Sequence, residues 1–315
     1  MLRLGEMSIE GHSVAGEETW FRIHPPGLAL DVGRGAPTQA GSRDIFLSHG
    51  HLDHALGVPY VLSQRRLHHP APTPQIAPTP QSAPSAPSAA LSATRVFCPL
   101  PIVESLRALV VACERLEGVA YQHEIVGLVP GERVDVGRGL TIEAFATDHV
   151  VPSLGFHLLR RRRRLKIEYQ GRSGEDLAQL RAEKVEIDRE CEELWLSYCG
   201  DTGPEVWRLS PRLVESRLLL IECTFLGDEV RQHGSTYKHL HFDDLVEHEA
   251  DLAGHEAIVL HHLSRRHSLG ALRREVNARL PRLAARVHLL GVADAEPIAD
   301  LGSRKGPMSS VRGDS

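Results

Sequence analysis

The run Ser48-His49-Gly50-His51-Leu52-Asp53-His54 constrains this chain more than any other stretch. It follows Ile45-Phe46-Leu47, an apolar segment with the character of a buried strand. Imidazoles and a carboxylate packed that densely add almost nothing to a core, so the strand ends where polar groups are wanted for chemistry. In an extended or tightly turned segment His49 and His51 point the same way, because side chains repeat with period two, and both can reach one ion. Asp53 and His54 fall at the start of the next helix and can face a second ion beside the first. Imidazole and carboxylate donors suit zinc, with manganese or iron(II) as alternatives. The bland alternative is a histidine-rich surface loop, in a chain with 19 histidines. The apolar strand before the run and the helix-forming stretch after Gly57-Val58-Pro59 favour the metal site.

Further along, polar residues again stand where apolar segments end. Asp148-His149 follows Leu140 to Phe145, Gly200-Asp201-Thr202 follows Trp195 to Cys199, and His262 follows Ile258-Val259-Leu260-His261. Each has an ordinary reading alone: a histidine at a strand end is usually a satisfied polar residue, and Asp in a Gly turn is common turn chemistry. Lys238-His239-Leu240-His241-Phe242 precedes a helical segment, and its histidines could simply cap that helix.

Taken together these segments resemble ribonuclease Z, a branch of the metallo-β-lactamase fold, in its short plant-like form. The resemblance is carried by Ile9 to Ser13, Leu28 to Arg34, the His49 to His54 run, Asp148 to Gly155, Gly200-Asp201-Thr202, Glu222 to Phe225, His239-Leu240-His241 and His262 to Arg266. It implies an α/β chain with a four-layer αββα architecture, two mixed sheets sandwiched between helices. It also implies two zinc ions, with His49, His51 and His149 on one, Asp53, His54 and His262 on the other, and Asp201 bridging. Such ions lie roughly 3.5–4 Å apart and stabilise both attacking and leaving oxygens of a displacement. Asp53 would also orient the nucleophile. His239, by its place in the family motif, would protonate the leaving 3′ oxygen, with His241 as its rival; imidazole suits the task because its pKa lies near working pH.

The activity implied is a metal-dependent endoribonuclease that cuts precursor tRNA at its 3′ end, working as a homodimer. Rival readings are a hydrolase of a small phosphodiester or ester on the same fold, and a non-catalytic RNA-binding relative. A net charge of −5 argues against a nucleic-acid partner unless a local basic patch supplies the attraction. Arg160, Arg161, Arg162, Arg163 and Arg164 form such a patch, read as the tip or second-strand start of a hairpin. They could bind phosphate through planar bidentate hydrogen bonds or be a solvated face. The resemblance adds Ser264 and Arg266 as substrate contacts, and departs at His267, where the family commonly has tyrosine. Only 150–200 separates His149 from Asp201, so an arm gripping the tRNA body, placed at 156–190, must be small.

The 315 residues, 42% hydrophobic, can bury one large core or two modest ones, and one domain over 1–292 is the economical reading. The Pro, Ala, Ser and Thr-rich stretch 70–93 lacks apolar anchors and reads as a disordered insertion, a PxxP-type ligand being the alternative. The polar tail 293–315 reads as disordered too. Five cysteines without paired spacing suggest neither a disulfide framework nor a zinc ribbon. No stretch resembles a leader or a membrane span, so a cytoplasmic protein is expected.

Overall fold

Alternation decides which face of each early strand is buried. In the computed structural model, which describes residues 2–4, 7–68, 93–227 and 236–290, Thr19, Phe21 and Ile23 of β3 (Glu18–His24) are buried while Trp20 and Arg22 are half-buried. β3 belongs to a seven-stranded sheet with β1 (Leu2–Leu4), β2 (Met7–Val14), β4 (Leu28–Val32), β5 (Asp44–Phe46), β6 (Thr94–Pro99) and β7 (His123–Leu128), ordered as in sequence. Pairing is antiparallel from β1 to β4 and parallel from β4 to β7. The second sheet repeats the plan with β8 (Arg133–Gly137), β9 (Leu140–Ala146), β10 (Leu154–Leu165), β11 (Asp188–Tyr198), β12 (Leu218–Glu222), β13 (Ala257–His261) and β14 (Val287–Leu289). Here β8 to β11 are antiparallel and β11 to β14 parallel.

The sheets share one apolar core. Phe46 stacks on Phe97 at 4.7 Å and meets Phe156 of the opposite sheet edge-on at 5.4 Å, and Phe21 meets Tyr198 at 5.4 Å. Helices Val58–His68 and Val103–Glu117 cover the outer face of the first sheet. Phe242–Glu247 and Leu269–Arg279 cover that of the second. With a helix layer outside each sheet, β4, β5 and β12 are buried on both faces, and their residues are buried throughout. This is the αββα arrangement the resemblance implied.

Strands β4, β5, β11, β12 and β13 run parallel within their sheets, so the chain leaves each at its carboxyl end, the usual place for a ligand site in such sheets. His49, His51, Asp53 and His54 follow β5, Asp201 follows β11 and His262 follows β13, whereas His149 follows the antiparallel β9 and His239 stands just before the helix Phe242–Glu247.

The arginine run corrects the expected hairpin. Arg160 to Arg164 form no tip; they continue β10, with Arg160 opposite Glu193, Arg161 opposite Glu192 and Arg163 opposite Glu190 on β11. These three opposite-charge pairs favour the register, against the like pair Arg164–Arg189, and the partners lie about 30 residues downstream, beyond any local reading. The connection carries a helix at Gly174–Ala182, capped by the Ser173 hydroxyl, which accepts from the Asp176 amide. The helical segment after His241 breaks at His248 into Phe242–Glu247 and Glu249–Leu252. Strand β8 and the first half of β11 were not foreseen. The proposed insertion 70–93, apart from Ala93, and the tail 293–315 lie outside the described residues. Among the described residues no helix is long and apolar enough to cross a membrane.

Candidate metal centre

Four chain segments from both sheets converge on Asp201. His54 Nε2 lies 3.3 Å from Asp201 Oδ1, while His262 Nε2 and His49 Nε2 lie 3.2 and 3.7 Å from Oδ2. Asp53 Oδ2 is 3.7 Å from His54 Nε2 and 3.5 Å from His262 Nε2. His149 Nε2 approaches His51 Nδ1 at 3.4 Å, and the His49 ring lies 4.6 Å from that of His51 and 4.8 Å from that of His149. Donor atoms thus form two sets, each within 4.8 Å: His49, His51, His149 and Asp201 in one, Asp53, His54 and His262 in the other. Asp201 belongs also to a third set with Glu222, His239 and His262.

The donor atoms suit metal ions. His49, His54 and His262 Nε2 and Asp201 Oδ1 are buried without a hydrogen-bond partner. A buried polar atom left so costs about 1–3 kcal/mol, and four of them facing one another are explained by cations between them. Charge follows the same logic. Burial opposes ionisation of Asp201, yet His262, His54 and His49 hold its carboxyl well below the usual range. Burial, then the neighbouring His54, drives the His49 pKa down, and burial lowers those of His51 and His149, so these imidazoles stay neutral and free to ligate.

Two buried carboxylates stand behind the histidines. Asp31, in β4 with φ of 50°, accepts from His54 Nδ1 at 2.7 Å and from the Tyr198 hydroxyl at 2.5 Å. Glu222, at the end of β12, accepts from His239 Nδ1 at 2.8 Å and from the Thr202 amide at 2.7 Å. Burial resists protonation of His239, but Glu222 beside it overrides this and lifts its pKa to about 9. The turn between β2 and β3 contributes as well, since the Gly16 amide donates to Asp53 Oδ2 at 3.0 Å.

The structure separates the two rival histidines. His239 faces the centre, its ring 5.2 Å from that of His149 and 5.3 Å from that of His262. His241 turns away: its Nδ1 accepts from the Asp243 amide and caps the helix, with Nε2 3.1 Å from the Gly227 carbonyl. Ser264 lies two residues beyond His262, its amide donating to the Thr224 carbonyl, and Arg266 donates its amide to the Ser264 hydroxyl. His267 accepts from the Leu226 amide. Arg160 to Arg164 are not brought to the centre: Arg160 lies six residues along β10 from Leu154, roughly 20 Å at the rise of a strand.

Asp31 and Glu222 carry structural roles that sequence reasoning passed over, although both stood in quoted motifs. The available signal was a lone acid inside an otherwise apolar strand, a position acids occupy only when paired.

Comparison with known proteins agrees with this geometry. The profile of the β-lactamase superfamily domain matches residues 34–262. tRNase Z TRZ1 of Arabidopsis thaliana is 31% identical over 286 residues, covering 90% of this chain and 94% of that protein. The chloroplastic tRNase Z TRZ2 of the same plant is 25% identical, covering 91% and 75%. The crystal structure of human tRNase Z, short form, superposes with a TM-score of 0.53 at 18% identity, covering 82% of this chain and 93% of that one. With the superfamily profile spanning more than half of it and a relative matched nearly end to end, the chain belongs to the tRNase Z family of the β-lactamase superfamily.

Proposed function

We infer that this protein is a metal-dependent endoribonuclease that matures the 3′ end of precursor tRNA. The observation that carries the reading is the pair of donor sets, with Asp201 a member of the first and within 3.3 Å of His54 and His262 of the second, in a chain of this family. We assign His49, His51 and His149 to one zinc ion and Asp53, His54 and His262 to a second, with Asp201 shared. When bound, such ions supply Lewis acidity and bring the pKa of water from about 15.7 to about 7.

The protein's own groups do the rest. Asp53, steadied by the Gly16 amide, keeps one carboxylate oxygen toward His54 and His262 and orients the attacking oxygen along the line of displacement. His239, anchored through Nδ1 by Glu222, presents Nε2 as the proton donor to the leaving 3′ oxygen of the tRNA. Ser264 and Arg266 lie on the loop that follows His262, and contact the substrate near the cut. Arg160 to Arg164, on a strand that leaves the centre, are suited to the phosphates of the distant tRNA body.

The protein is proposed to act as a cytoplasmic homodimer. All five cysteines are free, as a reducing compartment favours. Leu52 and Leu56 are exposed at a cavity of about 380 Å³ walled also by Ile102, Leu106, Leu109 and Pro152, an apolar surface of the kind that marks interfaces. Leu52, at 66% exposure, is its most prominent member. Leu52→Asp is expected to shift the sedimenting species from dimer to monomer without loss of zinc; an unchanged dimer removes this surface from consideration.

The test of function is cleavage of a precursor tRNA by the zinc-loaded protein, with Asp53→Ala alongside. A single cut next to the discriminator base, reduced by about a thousandfold or more in the variant, or about 4 kcal/mol at 1.36 kcal/mol per decade, is expected. No cut, with bis(p-nitrophenyl) phosphate still hydrolysed, would replace the tRNA by a small diester.

A further inference from the structure

We propose that two buried hydroxyls, those of Ser48 and Thr224, are positioning groups that fix the ligating tautomers of His49 and His262, each serving a different ion. The proposal rests on the two-ion reading above and assigns roles to residues outside both donor sets.

Ser48, fully buried, donates its amide to Asp31 Oδ1 at 2.6 Å and its hydroxyl to Asp31 Oδ2 at 2.7 Å. The same hydroxyl oxygen lies 2.9 Å from His49 Nδ1. A serine hydroxyl has one proton. The carboxylate is the stronger and nearer acceptor, so that proton belongs to Asp31, and the oxygen is left to accept from His49 Nδ1–H. The imidazole is thereby held with Nε2 bare, and His49 Nε2 is one of the buried atoms without a partner.

Thr224 repeats the device on the other sheet. Its hydroxyl donates to Glu222 Oε2 in a short hydrogen bond and stands 2.9 Å from His262 Nδ1, while His262 Nε2 is likewise unpartnered. Each hydroxyl stands between a buried carboxylate and a histidine of a donor set. Each carboxylate meanwhile holds a second histidine directly, His54 for Asp31 and His239 for Glu222.

The two hydroxyls divide between the donor sets: His49 stands with His51 and His149, His262 with Asp53 and His54. Outer partners of ligating histidines contribute about 10–100-fold in metal affinity. Removing one hydroxyl should therefore weaken one ion more than the other, whereas merely loosened packing would lower both alike.

The experiment is competitive titration of the metal-free full chain with Zn²⁺ against a chromophoric chelator. His149→Ala and Asp53→Ala, each lacking a residue of one set only, assign the two binding steps. Ser48→Ala is expected to weaken the step lost in His149→Ala by about 10–100-fold, and Thr224→Val the step lost in Asp53→Ala by a similar factor. Thr224→Ser, which keeps the hydroxyl, should restore Thr224→Val to within about twofold of the parent, a recovery that packing alone does not give. Both steps unchanged, both steps weakened alike in either variant, a failed Thr224→Ser rescue, or a single step in the parent protein would each overturn the proposal. None of these readouts uses RNA, so failure of the tRNA assignment remains distinguishable.

Discussion

Asp201→Ala is expected to empty the metal centre and to lower precursor cleavage by at least about 10⁴-fold, or about 5.5 kcal/mol at 1.36 kcal/mol per decade. This carboxylate lies within 3.7 Å of the Nε2 atoms of His49, His54 and His262, so its removal would take a donor from both proposed ions. It also leaves clustered imidazoles without the negative charge that offsets them. Zinc per chain, measured on the dialysed protein, and turnover should fall together. A variant that retains two zinc ions and cuts normally would show that Asp201 bridges nothing.

His239→Ala should behave differently. General acid catalysis by a placed side chain contributes about 10²–10⁴-fold, so turnover should fall by that factor, about 3–5.5 kcal/mol. Zinc content should stay at the parent level, because each principal donor set is complete without this imidazole. The geometry makes the prediction sharp, since His239 also stands near enough to Asp201 and His262 to serve as a donor. Loss of one zinc ion along with activity would make it a ligand and end its separate role as proton donor. Comparing substrates with leaving groups of different basicity adds a second check: a good leaving group needs no proton, so the deficit of the variant should shrink with it.

Much of the site was legible because its chemistry is written locally. His49, His51, Asp53 and His54 lie within six residues, behind an apolar strand, and no packing argument accounts for them. His149, Asp201 and His262 are singly unremarkable; their order along the chain within a family pattern made them candidates. His239 stood ahead of His241 by its place in the family motif, and helix capping was the other role open to both; the structure adds that His241 is the one that caps, accepting from the Asp243 amide. The arginine run failed for a reason outside its own segment. Its strand conformation depends on Glu190, Glu192 and Glu193 arriving opposite it, and a run of like charge looks the same locally whether it turns, dangles or pairs.

The fold class was legible in the sequence through its resemblance to ribonuclease Z, while hydrophobic period and turn chemistry, which act over a few residues, marked several of the strands and the residue types offered at their ends. Only the tertiary structure decided which ends meet. Asp31 receives the Tyr198 hydroxyl from 167 residues away, and Ser13 of β2 receives the His262 amide from 249 residues away. Such contacts form when two sheets close on a common core, and the buried polar atoms at their rim then have nowhere to turn but toward one another. That closure gathers scattered histidines and acids into one cluster of candidate ligands, a property of the packed sheets rather than of any single segment.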